Sequence, residues 1–305
     1  MALNIVFMGT PNFAVPILKS INDSEHNILA VYTQKPKKKD RGQKINISPI
    51  HEFSNTVKLQ VRYPIKFDKK ECDFIKNLKP DVVIVVAYGK ILPSTLLNLK
   101  KIKFLNIHAS LLPKWRGAAP IERAIMNLDR KTGISIMKIV PKLDSGPVMM
   151  KSEVGIFPDT NYETLSNELI SVGSNLILKS LKLIEKKDEI FINQNESEAT
   201  YAKKIEKSET KINFNTDAKK IIATINAFSS TLGAWLEING TRIKVLKAKE
   251  VKLIGPAGQI IDKNFIIGCL KNSIQVLELK KEGKKKMKAS EFLRGNNLKV
   301  GINVN

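Results

Sequence analysis

Short apolar runs alternate with helical patterns along the first two thirds of the chain. Three segments have the spacing of amphipathic helices: residues 68–78, 120–127 and 160–185. Five runs are rich in β-branched and aromatic side chains and predict strands: residues 4–8, 28–33, 82–87, 103–107 and 133–139. Apolar runs without alternation are typical of parallel strands covered on both faces. The order of elements therefore predicts a Rossmann-like, doubly wound α/β domain with a mostly parallel sheet.

The pattern changes beyond residue 188. Residues 189–208 are polar and lack a hydrophobic period, which predicts a linker between a first domain at 1–188 and a second at 209–305. The second domain begins with a helical pattern at 218–228, followed by short strand patterns separated by turn signals such as Asn239-Gly240. The predicted strands are 234–238, 241–248, 259–261, 265–270 and 274–280. This spacing predicts a small β-barrel.

Composition narrows the class of protein. The chain has 305 residues, of which 43% are hydrophobic, enough to bury a sizeable core. No apolar run approaches the roughly 18–20 residues that cross a bilayer, and the first ten residues lack the charged region of a secretion signal. The two cysteines, Cys72 and Cys269, are far apart and form no disulfide or zinc pattern. We therefore expect a cytoplasmic protein without a bound metal ion.

Charge is distributed unevenly between the two domains. The formal net charge is +22, and residues 201–305 alone hold 21 Lys and Arg against 9 Asp and Glu, a surplus of +12. A basic block of this density attracts polyanions, because each neutralised phosphate releases counterions. A lysine-rich composition without a functional role is the alternative. The asymmetry favours a nucleic-acid partner.

The turn after the first predicted strand bears on cofactor choice. Its sequence, Gly9-Thr10-Pro11-Asn12-Phe13-Ala14, has Pro11 and Ala14 where a dinucleotide-binding turn has its second and third glycines. The backbone could not approach a pyrophosphate closely here. We therefore expect no NAD cofactor, although ligands should still bind at the carboxyl ends of the strands.

Asn106, His108 and Asp144 form the most informative polar pattern. Asn106 and His108 are separated by one residue at the end of a predicted strand, so their side chains share a face. An amide and an imidazole together can polarise a carbonyl and shuttle a proton. Asp144, in an Asp-Ser-Gly loop after the next strand, could orient the imidazole. A structural histidine and a turn-forming aspartate remain the simpler interpretation of each residue alone.

The sequence around these residues resembles a known family. The run Asn106-Ile107-His108-Ala109-Ser110-Leu111-Leu112-Pro113, continued by Lys114-Trp115-Arg116-Gly117-Ala118-Ala119-Pro120, closely resembles the signature of the 10-formyltetrahydrofolate-dependent formyltransferases. The resemblance covers essentially the whole chain, including Asp144-Ser145-Gly146 and Ala199-Thr200-Tyr201-Ala202. It implies that the second domain is an OB-like barrel that binds tRNA.

The resemblance also implies roles for individual residues. Asn106, His108 and Asp144 match the family's catalytic trio. The expected folate-site residues are Ser110, Leu111, Leu112, Pro113, Ile91, Leu92 and Leu143. A basic loop at residues 34–49, too polar for a predicted strand, matches an insertion that contacts the tRNA acceptor stem. Its expected tRNA-binding residues are Arg41, Lys37, Lys38, Lys39 and Lys44.

The activity implied is formyl transfer from 10-formyltetrahydrofolate to the amino group of methionyl-initiator tRNA, by a monomer in a bacterial cytoplasm. One alternative is a formyltransferase for an amino sugar nucleotide, which would use the same first domain. Another is a non-catalytic RNA-binding protein on the same scaffold. The basic segment around Arg41 and the basic second domain favour tRNA, and the intact trio favours an enzyme.

Overall fold

The computed structural model describes residues 1–39, 44–296 and 298–304, with only the main chain described at 38, 39, 44 and 45. The chain folds as two compact units. The N-terminal unit comprises Met1–Gly117, Thr132–Val154 and Ser166–Tyr201. The C-terminal unit comprises Ala118–Lys131, Gly155–Leu165 and the chain from Ala202 onward.

Strands and helices alternate in the N-terminal part, and strands dominate after residue 230. The strands are β1 (Asn4–Gly9), β2 (Asn27–Tyr32), β3 (Lys37–Lys39), β4 (Lys44–Asn46), β5 (Val61–Arg62), β6 (Val82–Val86), β7 (Lys103–His108), β8 (Arg116–Gly117), β9 (Lys131–Lys138), β10 (Val148–Gly155), β11 (Tyr201–Ala202), β12 (Ala234–Ile238), β13 (Thr241–Val251), β14 (Ile260–Asp262), β15 (Ile266–Gly268), β16 (Ser273–Lys281) and β17 (Met287–Lys288). The helices are α1 (Val15–Asn22), α2 (Pro49–Thr56), α3 (Lys69–Leu78), α4 (Ser94–Leu97), α5 (Pro120–Met126), α6 (Tyr162–Lys186), α7 (Ala218–Phe228) and α8 (Ala289–Gly295).

The N-terminal unit is built on a sheet with the strand order β10-β9-β7-β6-β1-β2-β5. Within this order, β5, β2, β1, β6 and β7 run parallel to one another. Strand β9 runs antiparallel to β7. Since β1 lies between β2 and β6, the chain winds outward in both directions from the middle. This confirms the predicted doubly wound, mostly parallel α/β fold. The edge strand β10 was not predicted, because its partly exposed residues form no continuous apolar run.

Both faces of this sheet are covered. All five residues of β6 are buried, as its unbroken apolar sequence predicts. On one face, Tyr32 and Tyr88 pack in a cluster that includes Ile75 of α3. On the other face, a Cβ placed on Gly173 of α6 would lie 3.6 Å from Ile107. The long helix therefore rests directly on the strand that carries Asn106 and His108.

The C-terminal unit contains an antiparallel sheet with the order β12-β13-β16-β15-β14, and β17 pairs with β16. Buried and partly buried residues alternate along β12, so one face packs inward. The hydrophobic face of α7 covers this interior with Ile221, Ile225 and Phe228. The predicted second domain of short strands is confirmed. Helix α8 was not predicted.

The basic segment at 34–49 differs from its prediction. It contains strands β3 and β4, which pair antiparallel with Lys37 opposite Asn46. A two-stranded ribbon satisfies its main-chain hydrogen bonds by pairing alone, so polar side chains do not prevent it from forming. Within the described ranges, no helix is long and apolar enough to cross a membrane.

Candidate active site

The carboxyl end of β7 carries Asn106 and His108 on one face, as their spacing predicts. In the sheet, Asn106 lies beside Val85 of β6 and Met137 of β9. Its half-buried amide makes no hydrogen bond to any residue that the structure describes. The amide is therefore available to donate a hydrogen bond to a ligand at this edge.

Each ring nitrogen of His108 faces a different partner. Its side chain is 6% exposed, and Nε2 lies 2.8 Å from the main-chain oxygen of Trp115. A carbonyl oxygen only accepts hydrogen bonds, so Nε2 carries the proton of this contact. Nδ1 faces Oδ2 of Asp144 at 3.7 Å, which is longer than a hydrogen bond but within reach of an ion pair. The structure thus brings His108 and Asp144 together, with Nδ1 on the side of the carboxylate.

Asp144 reaches His108 through a tightly folded loop. Because β9 is antiparallel to β7, the loop at 140–146 begins beside the start of β7 and not beyond its carboxyl end. It folds back so closely that a Cβ on Gly146 would lie 1.8 Å from the carbonyl oxygen of Lys138. The main-chain N–H of Gly117 donates to Oδ2 of Asp144 at 2.8 Å. The carboxylate is therefore fixed by the chain segment that also contacts His108.

This segment, Trp115-Arg116-Gly117, has an unusual backbone. Trp115 has φ of +61° and Gly117 has φ of +124°, and Asp144 opposite has φ of +43°. Left-handed conformations at non-glycine residues cost free energy and persist only where surrounding contacts enforce them. Here the residues with positive φ include the two that contact the site: Trp115, whose carbonyl accepts from His108, and Gly117, whose N–H donates to Asp144.

Three further residues belong to this network and were not predicted. The fully buried guanidinium of Arg116 binds Gln194 and forms an ion pair with Glu196 at 2.8 Å. Hydrogen bonds from Arg116, and then from Lys142, lower the pKa of Glu196 to about 2. The one sequence signal for Arg116 was its place in the motif segment Lys114-Trp115-Arg116-Gly117, and its burial in the structure requires a partner for its charge. No sequence signal pointed to Gln194 or Glu196, since both lie in a polar segment without a hydrophobic period.

The predicted folate-site residues divide into buried and exposed positions. Ser110 is fully buried, and its hydroxyl donates to the carbonyl of Lys114 at 2.5 Å. Leu92 and Leu112 are 7% and 1% exposed, so their side chains lie in the hydrophobic core and not on an open wall. The Leu112 N–H donates to Ser135 Oγ at 3.0 Å.

The other predicted folate-site residues are more accessible. Leu111 and Pro113 are half-buried. Ile91 and Leu143 are 93% and 58% exposed. Both lie in loops, Ile91 after β6 and Leu143 next to Asp144, and both offer apolar surface to a ligand.

The predicted tRNA contacts are described only in part. Lys37 is exposed in β3. Lys38, Lys39 and Lys44 have a described main chain in the β3–β4 ribbon, with Lys39 opposite Lys44. Arg41 lies outside the described residues.

The chain matches known proteins along nearly its full length. Residues 3–181 match the formyl transferase family, and residues 204–297 match the formyl transferase C-terminal domain family. The chain therefore belongs to the formyl transferase family, whose members are transferase enzymes. A methionyl-tRNA formyltransferase of Pelagibacter ubique is 46% identical, with 100% of this chain and 99% of that protein covered.

Solved structures share the fold. An N-formyltransferase of Helicobacter canadensis, in complex with folinic acid and dTDP-3-aminofucose, has a TM-score of 0.68 and 22% identity, covering 90% of this chain and 99% of that one. HypX of Aquifex aeolicus in complex with tetrahydrofolic acid has a TM-score of 0.67 and 17% identity, covering 96% of this chain and 47% of that one. The chain spans about half the length of HypX.

Proposed function

We propose that this chain transfers the formyl group of 10-formyltetrahydrofolate to the amino group of methionyl-initiator tRNA. The observation that carries the substrate assignment is the full-length similarity to curated methionyl-tRNA formyltransferases, at 46% and 40% identity. The chemistry rests on the arrangement of Asn106, His108 and Asp144 at the carboxyl edge of β7. The bacterial sources of these relatives and the two free cysteines fit action in a bacterial cytoplasm.

The reaction needs an electrophile to be polarised and a proton to be moved. The neutral amine attacks the formyl carbon, a C–N bond forms, and negative charge develops on the formyl oxygen. The free Asn106 amide and the Nδ1–H of protonated His108 are the donors for that oxygen, and each such donor is worth about 3–4 kcal/mol in comparable sites. The bond to N10 of the folate then breaks, and the proton lost by the amine ends on N10.

Asp144 has two roles in this proposal. Its carboxylate lies 3.7 Å from Nδ1 and orients the imidazole. Through a water molecule, the carboxylate also relays the proton from the amine toward the leaving nitrogen. The carbonyl of Trp115 accepts a hydrogen bond from Nε2, so Nδ1 is the ring nitrogen that takes part in proton transfer.

The residues near this edge fit a reduced folate. The exposed side chains of Ile91 and Leu143 give apolar contact for a flat ring system. The buried Leu92 and Leu112 would act through main-chain atoms, and Ser110 would hold the loop in shape through Lys114. We propose this set, together with the half-buried Leu111 and Pro113, as the folate-binding residues.

Charge on the C-terminal unit supports a tRNA partner. Lys244 of β13 lies directly opposite Lys280 of β16, and like charges in facing positions destabilise a sheet. Lys280 and the turn lysines 284–286 are exposed. Binding of a polyanion offsets the repulsion between these lysines. We propose that residues 209–305 and the basic segment at 34–49 hold the tRNA, with Arg41, Lys37, Lys38, Lys39 and Lys44 at the acceptor stem.

The second candidate substrate is an amino sugar nucleotide, favoured by the structural likeness to the Helicobacter canadensis enzyme. A formylation assay separates the two. We expect rapid formylation of charged initiator tRNA, much slower formylation of charged elongator methionine tRNA, and no product with dTDP-linked amino sugars. Formylation of the sugar nucleotide in preference to tRNA would overturn the proposal.

A further inference from the structure

Arg116 lies between the two main-chain groups that hold the candidate catalytic side chains. The residue before it supplies the Trp115 carbonyl to His108 Nε2, and the residue after it supplies the Gly117 N–H to Asp144 Oδ2. The Arg116 side chain points elsewhere and is 0% exposed. Its main-chain N–H donates to the carbonyl of Thr200 at 2.9 Å. The segment is therefore anchored at its centre.

The guanidinium is held by a fork of contacts. Its Nε and Nη2 donate to Oε1 of Gln194 at 3.0 and 2.9 Å. Nη2 and Nη1 donate to the two carboxylate oxygens of Glu196 at 2.8 and 3.2 Å. A planar guanidinium is suited to this two-sided arrangement, whereas an ammonium group is not.

Gln194 connects this fork to the other side of the site. While its oxygen accepts from Arg116, its amide nitrogen donates to the carbonyls of Asp144 and Gly146 at 2.8 and 2.7 Å. All the hydrogen-bonding capacity of the side chain is thereby used. The Asp144 loop and the Trp115–Gly117 segment are joined through one amide group.

The contacts form a closed ring around the candidate catalytic pair. It runs from His108 through the Trp115 carbonyl to Arg116, then through Gln194 to the main chain of Asp144, and back to His108 through the carboxylate. The left-handed backbone at Trp115 and Asp144 is the strained part of this ring. A strained geometry persists only while its neighbours enforce it, and Arg116 and Gln194 are those neighbours.

We propose that Arg116 and Gln194 are positioning residues for formyl transfer, fixing the Nε2–H of His108 and the carboxylate of Asp144 relative to each other. This inference rests on the proposed function for its kinetic consequences. Glu196 has a smaller part, because its carboxylate is 55% exposed and is shared with Lys142 at 2.6 Å. The segment after α6, predicted as a passive linker, thus supports the site.

The test uses Arg116→Lys and Gln194→Leu in the full-length chain. A displacement of about 1 Å at reacting groups costs about 100-fold in rate, so we expect kcat to fall 10- to 100-fold while the KM values for folate and tRNA change less than about twofold. Gln194→Glu is the sharper variant, since it keeps an acceptor for Arg116 but loses the donors to both loop carbonyls. We expect its kcat to fall like that of Gln194→Leu.

Arg123→Lys is the matched control. Arg123 also forks onto a glutamate, Glu209, at 2.5 and 3.0 Å, but within the C-terminal unit and without contact to His108 or Asp144. We expect it to lower thermal stability as Arg116→Lys does, with kcat retained. Equal loss of kcat in Arg123→Lys and Arg116→Lys would reduce the role of Arg116 to general stability and overturn the proposal.

A spectroscopic readout keeps the inference testable apart from the reaction. The chain has three histidines, so ¹⁵N ring spectra are simple to assign. In wild type we expect a single sharp Nε2–H signal from His108; in Arg116→Lys and Gln194→Leu this signal should broaden or split, and in Arg123→Lys it should not. An unchanged His108 signal in both site variants overturns the positioning role. If wild type fails to formylate tRNA but the signal changes as expected, the proposed function fails and the positioning role stands.

Discussion

The surroundings of His108 and the basic surface of the C-terminal unit use charge in different ways. In the N-terminal unit, Arg116 is fully buried and Asp144 is bound on its side chain and its main chain, so both of these charged groups near His108 have fixed partners. In the C-terminal unit, Lys280 is exposed opposite Lys244, and the pair of Lys286 with Glu278 has a lysine that is 65% exposed. A chemical step at one atom depends on fixed distances between the reacting groups, whereas binding of a polyanion depends on how many positive charges contact it.

The contrast predicts that a single change near β7 should abolish turnover. For His108→Ala we expect kcat to fall by about 100- to 1,000-fold, because a preorganised donor to the formyl oxygen is removed. Binding of folate, measured by fluorescence titration, should persist, since the apolar contacts remain.

His51→Gln serves as the control for this variant. His51 stacks on Tyr63 at a centroid distance of 5.4 Å and has no place in the site network. Its turnover should match that of wild type. Turnover of His108→Ala within tenfold of wild type would remove His108 from the catalytic role.

A change in the basic segment should alter tRNA use and leave the chemistry intact. For Arg41→Ala we expect kcat/KM for initiator tRNA to fall about 10- to 100-fold, as for the removal of one specific interaction worth about 1–3 kcal/mol. Folate affinity should not change. Lys35→Ala, in the same segment, is the control for charge alone, and an equal decrease in both variants would argue against specific recognition by Arg41.

In the C-terminal unit the effect of each charge should be small and cumulative. The triple variant Lys284→Ala, Lys285→Ala, Lys286→Ala should raise the KM for tRNA about 5- to 10-fold and leave kcat unchanged. The slope of log KM against log salt concentration should decrease by about 2–3, close to one unit for each phosphate that is no longer neutralised.

An equal number of lysines in the other unit gives the control. Lys66, Lys69 and Lys70 are exposed at the start of α3 and just before it. Their triple alanine variant removes the same net charge. If both triple variants change the salt slope equally, tRNA binding follows total charge and the C-terminal unit has no special role.

The sequence predicted most of the fold because local patterns decide most of it. The unbroken apolar run of β6 and the alternation in β12 each match their burial. The antiparallel direction of β9 was not predictable, since it depends on pairing with β7 and not on its own residues. The β3–β4 ribbon was missed for a similar reason, because main-chain pairing leaves no apolar signature.

The part of the site that depends on side-chain chemistry was predictable from the sequence. The spacing of Asn106 and His108 places them on one face, and the structure brings Asp144 to within 3.7 Å. The partner of Nε2 is a main-chain carbonyl at a left-handed residue, Trp115, which no residue pattern reveals. Gln194 acts across 50 positions of sequence through two carbonyls, so only the folded chain identifies it.

The smallest effect we predict concerns stability and compares one ion pair from each unit. Glu71 of α3 accepts from Arg62 at 2.7 and 2.8 Å and from the hydroxyl of Tyr32 at 2.7 Å. Burial raises the pKa of Glu71, but the hydrogen bonds from Arg62 and Tyr32 outweigh it and hold the pKa below its ordinary value. For Glu71→Gln we expect a decrease of about 1–3 kcal/mol in the free energy of unfolding at pH 7, measured by urea titration.

The pH dependence of this decrease follows from the sign of the pKa shift. A carboxylate with a lowered pKa in the folded state stabilises fully above the unfolded value of about 4.5 and loses that contribution as the pH falls through the folded value. The difference between wild type and Glu71→Gln should therefore be constant from pH 7 to pH 5 and shrink in more acid solution. Glu278→Gln, which breaks the exposed pair with Lys286, should cost less than about 1 kcal/mol at any pH. Equal decreases in the two variants would show that the N-terminal unit does not depend on fixed ion pairs more than the C-terminal unit does.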